Sequence, residues 1–282
     1  MWKNLRSSPT GIIGLVIFIM VVACGLLASF ISPYNPGTQD IENTFMPPFW
    51  NSLGGIDHLL GTDDVGKDVL SNLIYGSRIS LMVGFFGTIV AGCIGVLLGS
   101  LSGYYGGKID TAIMRIADIQ LAFPFILLAI FIVAVLGPSL SNIIIVAGIS
   151  SWVQFARLVR GEIIAVKENE YIEAIRSLGA KSYVIIFKHI LPNIMNSVIV
   201  VATLEMARII LMEASLSFLG LGVPAEVPTW GKMLADARVH MVSHPWLAIL
   251  PGLSITFTVL GINLFGDWLR DYLDPKLRET NK

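Results

Sequence analysis

Charge is scarce in this chain. Only 14% of its 282 residues are Asp, Glu, Lys or Arg, while 54% are hydrophobic. A soluble domain carries about 25% charged residues, so this composition belongs to a polytopic membrane protein. Cysteine is scarcer still. Cys24 and Cys93 both lie in apolar runs and read as small hydrophobes, not as a disulfide or metal pair. There is no basic block and no aromatic-basic module, so nothing points to nucleic-acid binding. No Ser-His, paired-Asp or metal-ligand constellation is placed for chemistry, which makes an intramembrane enzyme the weakest reading.

What the chain has in abundance is uncharged sequence. A spanning helix needs roughly 20 apolar residues, because the hydrocarbon core is about 30 Å thick. Gly11 to Ile31 is uncharged and follows Lys3 and Arg6. The apolar region of a signal peptide is shorter, about 7–15 residues, so this reads as an uncleaved first span. Ile79 to Gly107 is also uncharged and predicts a second span ending near Gly103. Ile119 to Ala156 is too long for one helix, and Gly137-Pro138 divides it into spans three and four. Span five is predicted to begin after Pro192 and run to about Met212. Span six fills Pro245 to Gly266. The expectation is an all-α integral membrane protein with six transmembrane helices. Residues 1–78 hold the first helix and a long extracytoplasmic loop. Residues 79–282 hold the five-helix core, with a cytoplasmic loop at 168–193.

Six spans place both termini on one side. With the N-terminus in the cytoplasm, fourteen Lys and Arg fall on the cytoplasmic side and four outside (Lys67, Arg78, Lys232, Arg238), with Arg208 inside span five. Short cytoplasmic loops carry the excess of cations, so the expected topology is N-in, C-in.

That topology decides the reading of "GTDDVGKD", Gly61 to Asp68. It differs by one residue from the phosphate loop G-x-x-x-x-G-K-[ST]. Asp68 stands where a hydroxyl should ligate magnesium. Asp63, Asp64 and Asp68 would repel a triphosphate, no convincing strand precedes the stretch, and its predicted place is outside the cytoplasm. The surrounding loop, Ser32–Arg78, carries Tyr34, Phe45, Phe49 and Trp50 and reads as ordered. In the second outer segment, Glu213–His244, His240 and His244 are four apart and could share a helical face. No third ligand is evident, and Met241 stands where a zinc-protease helix carries Glu, so no metal is expected.

The polar loop "ENEYIEAIRSLGAKSYVIIFKHILPN", Glu168 to Asn193, cannot span. Tyr171, Ile172, Ile175 and Leu178 have helical spacing, and Gly179 suits a left-handed C-terminal cap. A second short helix, about Ser182–Ile190, is predicted to stop before Pro192, because the residue preceding a proline disfavours helical geometry.

Here the sequence resembles a known family. Glu173-Ala174-Ile175, Gly179 and Leu191-Pro192 are similar to the EAA loop of ATP-binding-cassette importer permeases, with Ile175 and His189 departing from its letters. "HLLGTDDVGKDVLSNLIYGSRISL", "MRIADIQLAFP", "ARLVRGE", "EASLSFLGLG" and "LRDYLDPKLR" resemble the C-type permease of dipeptide, oligopeptide and nickel importers. The resemblance runs from about His58 to Arg278. It implies a type I importer permease fold in a bacterial or archaeal cytoplasmic membrane, and a transport subunit with no catalysis of its own. Its cargo would be a peptide or a related solute such as glutathione or a nickel complex. It implies as partners a homologous B-type permease, an extracytoplasmic solute-binding protein, membrane lipid and two cytoplasmic ATPase subunits, which would bind the ATP and magnesium. No cofactor would sit on this chain. Glu173, Ala174, Ile175, Arg176, Gly179, Leu191 and Pro192 would form the ATPase-coupling loop. Glu173 and Arg176 would make polar contacts there, and Ile172, Ile175 and Leu178 would present an apolar face to a groove. Periodicity alone leaves open a loop that packs only on its own protein. A secondary transporter working alone would leave the loop unexplained.

Glu205 and Arg208 lie three apart in span five, on one helical face. Each charge in the membrane centre costs about 2.5–3.5 kcal/mol on insertion scales, so both should face protein or a pore. Substrate pathway and structural ion pair are both open readings. Glu213, in "EASLSFLGLG", matches the family and is expected near the outer mouth, as a third pathway candidate. Arg115 and Asp118 are expected to anchor the inner end of span three. Gly84, Gly87, Gly92, Gly95 and Gly99 predict close helix packing, expected against the partner permease.

Overall fold

The computed structural model describes residues 8–224 and 226–273. Lys3, Arg6, Lys276, Arg278 and Lys282, which enter the charge asymmetry above, and the end of "LRDYLDPKLR" lie outside the described residues. In chain order the helices are α1 (Pro9–Leu26), α2 (Val69–Tyr105), α3 (Gly107–Ala122), α4 (Phe125–Leu136), α5 (Leu140–Val166), α6 (Glu170–Ser177), α7 (Ser182–Phe218), α8 (Trp230–Ala237) and α9 (Trp246–Leu273), with a four-residue extension of α1 at Ala28–Ile31. Among the described residues the only strand-like pairing is one antiparallel bridge, Thr62 with Asp68.

Five of these helices are long and apolar enough to cross a membrane: α1, α2, α5, α7 and α9. The sixth crossing is a broken one. α3 and α4 meet at a bend of 93°, where the sequence predicted an unbroken span from Ile119 to Leu136. The reason is local. Phe123 precedes Pro124 and takes an extended conformation, φ −93° and ψ 136°, as the proline ring requires. α4 alone, at 12 residues, is about 18 Å long, short of the hydrocarbon thickness.

The second correction concerns Pro192, which does not stop the helix. Ile190 keeps helical angles, φ −88° and ψ −56°, and α7 runs on through the proline. Ile185–Ile190 wind as a π-helix, and the Leu191 N–H donates to the carbonyl of Ile186, five residues back. A π turn changes the hydrogen-bond register by one residue, which lets the helix meet a residue that has no N–H and a ring in the way of the ordinary ladder. α7 also extends six residues past Met212, and α2 starts ten residues before Ile79.

Packing is densest between α2 and α5. A Cβ on Gly99 would stand 2.6 Å from the carbonyl oxygen of Ala156, and one on Gly95 would overlap Phe155. Gly84 and Gly87 approach Ile210 and Ile209 of α7 in the same way. These four glycines therefore serve contacts inside the chain, a correction to the expectation that they face a partner permease, while Gly92 borders an open groove. One apolar cluster, with Val83, Ile143, Val146, Ile209 and Leu216, joins α2, α5 and α7 in one half of the bundle. A second, with Phe155, Val159, Ile163, Ile185 and Ile190, fills the other half and continues into α6 through Ile172. α1 closes the bundle by lying along α9, where Phe18 stacks on Phe265 at 6.1 Å.

The α2–α3, α5–α6 and α6–α7 connections lie at one end, called inner here, and the 32–68 loop, α8 and the 219–245 segment at the other. Lys167 Nζ donates to the Gly103 carbonyl at the inner end, 3.1 Å. Trp230 Nε1 donates to the Leu73 carbonyl at the outer end, 3.0 Å.

Candidate functional site

At the inner end, α6 opens with Glu170 and Glu173 in its first turn and closes with Arg176 in its last. Both placements complement the helix dipole. Gly179 follows in the left-handed region at φ 82°. The Gly179 N–H donates to the Arg176 carbonyl (2.9 Å) and the Ala180 N–H to the Ile175 carbonyl (3.3 Å), the paired bonds of a Schellman cap. The turn thus forms as the sequence predicted.

The faces differ from the prediction. Ile172 is fully buried and Ile175 half-buried, both packed on the core of α5 and α7. Of the three residues expected to form an outward apolar face, only Leu178 is outside, 87% exposed. The outward surface is Tyr171, Glu173, Ala174, Arg176 and Leu178. The loop is anchored on its own protein by one face and open on the other. Arg176 also lies over the Tyr104 ring, 5.8 Å from its centroid. Leu191 is half-buried and Pro192 exposed. Beside the loop, Arg160 grips Asp110 through Nε (2.5 Å) and Nη2 (2.7 Å), tying α3 to α5. Sequence reasoning missed this pair because the partners are fifty residues apart and each alone reads as an ordinary surface charge.

Midway along the bundle, Arg208 Nη1 lies 3.1 Å from Glu205 Oε1. The two are unequally placed. The Arg208 side chain is 56% exposed and that of Glu205 only 7%. Ser151 of α5 lies beside the Glu205 carboxyl. Glu205 Oε2, Ser150 Oγ and Ser151 Oγ are all buried. Gln154 and Arg157 continue along α5 and are exposed. Arg157 pairs with Asp118 of α3 at 2.6 Å, and Ser197 donates to Glu162 at 2.8 Å. Gln120 donates to the Ile149 and Ser150 carbonyls and accepts from Trp152 Nε1. The result is a polar seam along α5 and α7. Its sequence signal was polar residues at 150, 151, 154 and 157, a three-to-four spacing within an otherwise apolar run.

Glu213 does not line the outer mouth of this chain. It is 0% exposed, and Ser80 Oγ donates to its Oε2 (2.9 Å) while Ser217 Oγ donates to its Oε1 (2.7 Å).

"GTDDVGKD" is a clasp at the head of α2. Asp68 caps the helix, accepting from the Ser71 N–H (2.7 Å) and Ser71 Oγ (2.6 Å), with His58 Nδ1 at 3.0 Å. Asp63 Oδ1 accepts from the N–H groups of Val65 (3.0 Å) and Lys67 (2.8 Å). Burial pushes the Asp63 carboxyl above the usual range, against the pull of those two N–H groups. Gly66 is at φ 76°, with the Asp40 carbonyl where a Cβ would stand. The amides that a phosphate loop would offer to an anion are already taken by the chain's own carboxylate.

His240 and His244 lie in a turn beyond α8, not on one helical face. Their rings pack on Phe45 at 4.8 and 4.2 Å. Burial, with His240 nearby, pushes His244 below the usual imidazole range.

Residues 95–279 match the family described as binding-protein-dependent transport system inner membrane component. Residues 1–48 match the N-terminal transmembrane domain of oligopeptide transport permease C. The chain is 44% identical to the dipeptide transport system permease protein DppC of Alkalihalophilus pseudofirmus, over 98% of this chain and 89% of that one. It is 42% identical to the glutathione transport system permease protein GsiD of Pectobacterium atrosepticum, over 98% and 90%. It is 40% identical to the oligopeptide transport system permease protein OppC of Bacillus subtilis, over 99% and 91%. Among solved structures, the inward-facing MetNI methionine ABC transporter superposes with a TM-score of 0.59 at 19% identity, covering 72% of this chain and 96% of that one, a likeness of fold.

Proposed function

The chain belongs to the family of binding-protein-dependent transport system inner membrane components, and on that premise we propose how it couples and what it carries. It is a membrane-spanning permease of an ATP-binding-cassette importer, embedded in the inner membrane. The cargo we assign is short peptides. The relatives reported above are named for dipeptide, oligopeptide and glutathione transport, and they align over nearly their whole length.

The observation that carries the coupling assignment is the two-sided loop. α6 is locked onto α5 and α7 through Ile172 and capped rigidly at Gly179, while Tyr171, Glu173, Ala174, Arg176 and Leu178 face outward. A helix held this way transmits displacement instead of yielding to it. We assign that face to a cytoplasmic ATPase subunit, with Leu191 and Pro192 inside α7, where its π segment passes into α-helix. Two such subunits hydrolyse ATP, a second homologous permease completes the pathway, and an extracytoplasmic binding protein delivers cargo to the outer end. The positive-inside asymmetry supports this direction. Glu205 and Arg208 lie on the pathway side of α7. Glu213 serves that pathway indirectly, by tying α2 to α7 at the outer end.

Co-purification tests the assignment. The tagged chain, expressed with the neighbouring permease, ATPase and binding-protein genes, is expected to retain both ATPase subunits. Charge reversal at Glu173 and Arg176 should release them while the chain stays in the membrane. Retention in that variant, or peptide uptake by the chain alone, would overturn the reading.

A further inference from the structure

The Glu205–Arg208 pair is asymmetric in a way that a plain structural ion pair is not. The carboxylate is turned inward and the guanidinium outward. Arg208 has five N–H donors in a planar fork; Nη1 reaches Glu205, and the side chain is 56% exposed. Glu205 Oε2 and the hydroxyls of Ser150 and Ser151 are buried in this part of the bundle, with Ser151 beside the Glu205 carboxyl. Arg208 lies ten residues from Phe218, about 15 Å along the helix, and sixteen from Pro192, about 24 Å. That is deep within the hydrocarbon thickness, where an arginine does not stand in lipid.

The two sides of α7 are chemically opposite. Ile199 lies nine residues before Arg208, half a turn round the helix at 3.6 residues per turn. It borders an apolar groove lined by Phe85, Ile89, Cys93 and Met195. That side suits lipid. The Arg208 side carries Ser197, and on it Glu205 meets Ser151 of α5, three residues before the exposed Gln154. It therefore faces water or protein.

We propose that Arg208, held at its root by Glu205, is an anion-selective station on the cargo path that takes the carboxylate terminus of a peptide in transit, with Ser150, Ser151 and Gln154 as the polar lining beside it. The inference rests on the reading that this side of α7 lines the pathway. A guanidinium fork matches a carboxylate in two parallel bonds. Dipeptides, oligopeptides and glutathione all carry a free carboxylate, whatever their side chains. One outward cation in a low-dielectric channel produces a positive field there although the pair is neutral overall.

The test uses the full transporter in proteoliposomes, with Cys24→Ala and Cys93→Ala, and Gln154→Cys as the reporter. It is labelled with a sulfonate-bearing and with a trimethylammonium-bearing methanethiosulfonate. The anionic reagent is expected to react faster, and Arg208→Gln should lower the anionic-to-cationic rate ratio roughly tenfold. The double variant Glu205→Gln/Arg208→Gln, which leaves no buried charge unpaired, should show the same drop. An unchanged ratio would overturn the station. So would failure of both reagents to label, which means that the partner permease covers the seam. A second arm follows uptake of tri-alanine and its C-terminal amide, each at saturating occupancy of the binding protein. Arg208→Gln should slow tri-alanine and spare the amide, with Arg208→Lys intermediate; equal slowing of both would count against carboxylate recognition. If wild type carries neither peptide while the labelling ratio holds, the peptide assignment fails and the anion station stands.

Discussion

Ser80 of α2 donates to the carboxylate of Glu213 on α7 across 133 residues of sequence, at 2.9 Å and out of contact with solvent. With Ser217 Oγ donating to the other oxygen, the carboxyl is held from two sides, and its bond from Ser80 joins the two helices near the outer end. Ser80→Ala removes one donor from a buried carboxyl group. It should lower stability by about 1–3 kcal/mol, read as an earlier thermal unfolding transition of the detergent-solubilised complex. An unshifted transition would mean that the bond contributes nothing.

The two-sided loop predicts a division of labour between neighbouring apolar residues. Ile172→Ala empties a buried site and should cost about 2–5 kcal/mol of stability. Leu178→Ala removes an exposed side chain. Its melting transition should stay put while its affinity for the ATPase subunit falls by about fivefold, near 1 kcal/mol. Thermal unfolding and a binding titration on the same two proteins separate the effects. Parallel losses in both variants would refute the division.

Gly179 sits at φ 82°, where an L side chain costs about 1–2 kcal/mol. Gly179→Ala should loosen the turn between α6 and α7 without unfolding the bundle. The measurable outcome is less cargo moved per ATP hydrolysed. Gly179→Asn, which tolerates that conformation better, should fall between. A normal transport-to-hydrolysis ratio in the alanine variant would remove the turn from the coupling path.

Asp63 predicts a pH signature. Burial raises its carboxyl pKa in the folded protein, so folding favours the protonated form. No penalty exists below the ordinary carboxylate range. The penalty grows as pH rises through the shifted pKa and is complete above it. Asn can still accept the bonds from Val65 and Lys67. Asp63→Asn should therefore match wild type in acid and unfold later at neutral pH. A variant less stable at neutral pH than in acid, relative to wild type, would show that the charge itself holds the turn.

The helical class, the segments that cross, the Gly179 turn and the Glu205–Arg208 contact were legible in the sequence because each follows from local composition or spacing. The break at Phe123 was written there too, in the X-Pro step, but the long uncharged run concealed it. The passage through Pro192 was not legible, since a proline can end a helix or be admitted by a π turn, and the π segment here is also buried through Ile185, Ile186 and Ile190, which only the tertiary fold reveals. The inward turn of Ile172 was hidden for a related reason. Helical periodicity shows which residues share a face and leaves open what that face meets. Ser80–Glu213 and Asp110–Arg160 required the tertiary fold, because no local pattern links partners so far apart.

The six residues of the π segment act as a phase-setter. They stand between the outward loop and everything α7 carries toward the outer end. A helix advances about 100° per residue, and a π turn holds one residue more than an α turn. Rewinding Ile185–Ile190 as an α-helix would thus rotate the rest of α7 by about that angle unless the ends moved. Arg208 would swing from the Ser151 seam toward the neighbouring helices, and Ile199 would leave the apolar groove. The winding of one short stretch at the inner end fixes the compass bearing of a charge some 30 Å away along the same rod.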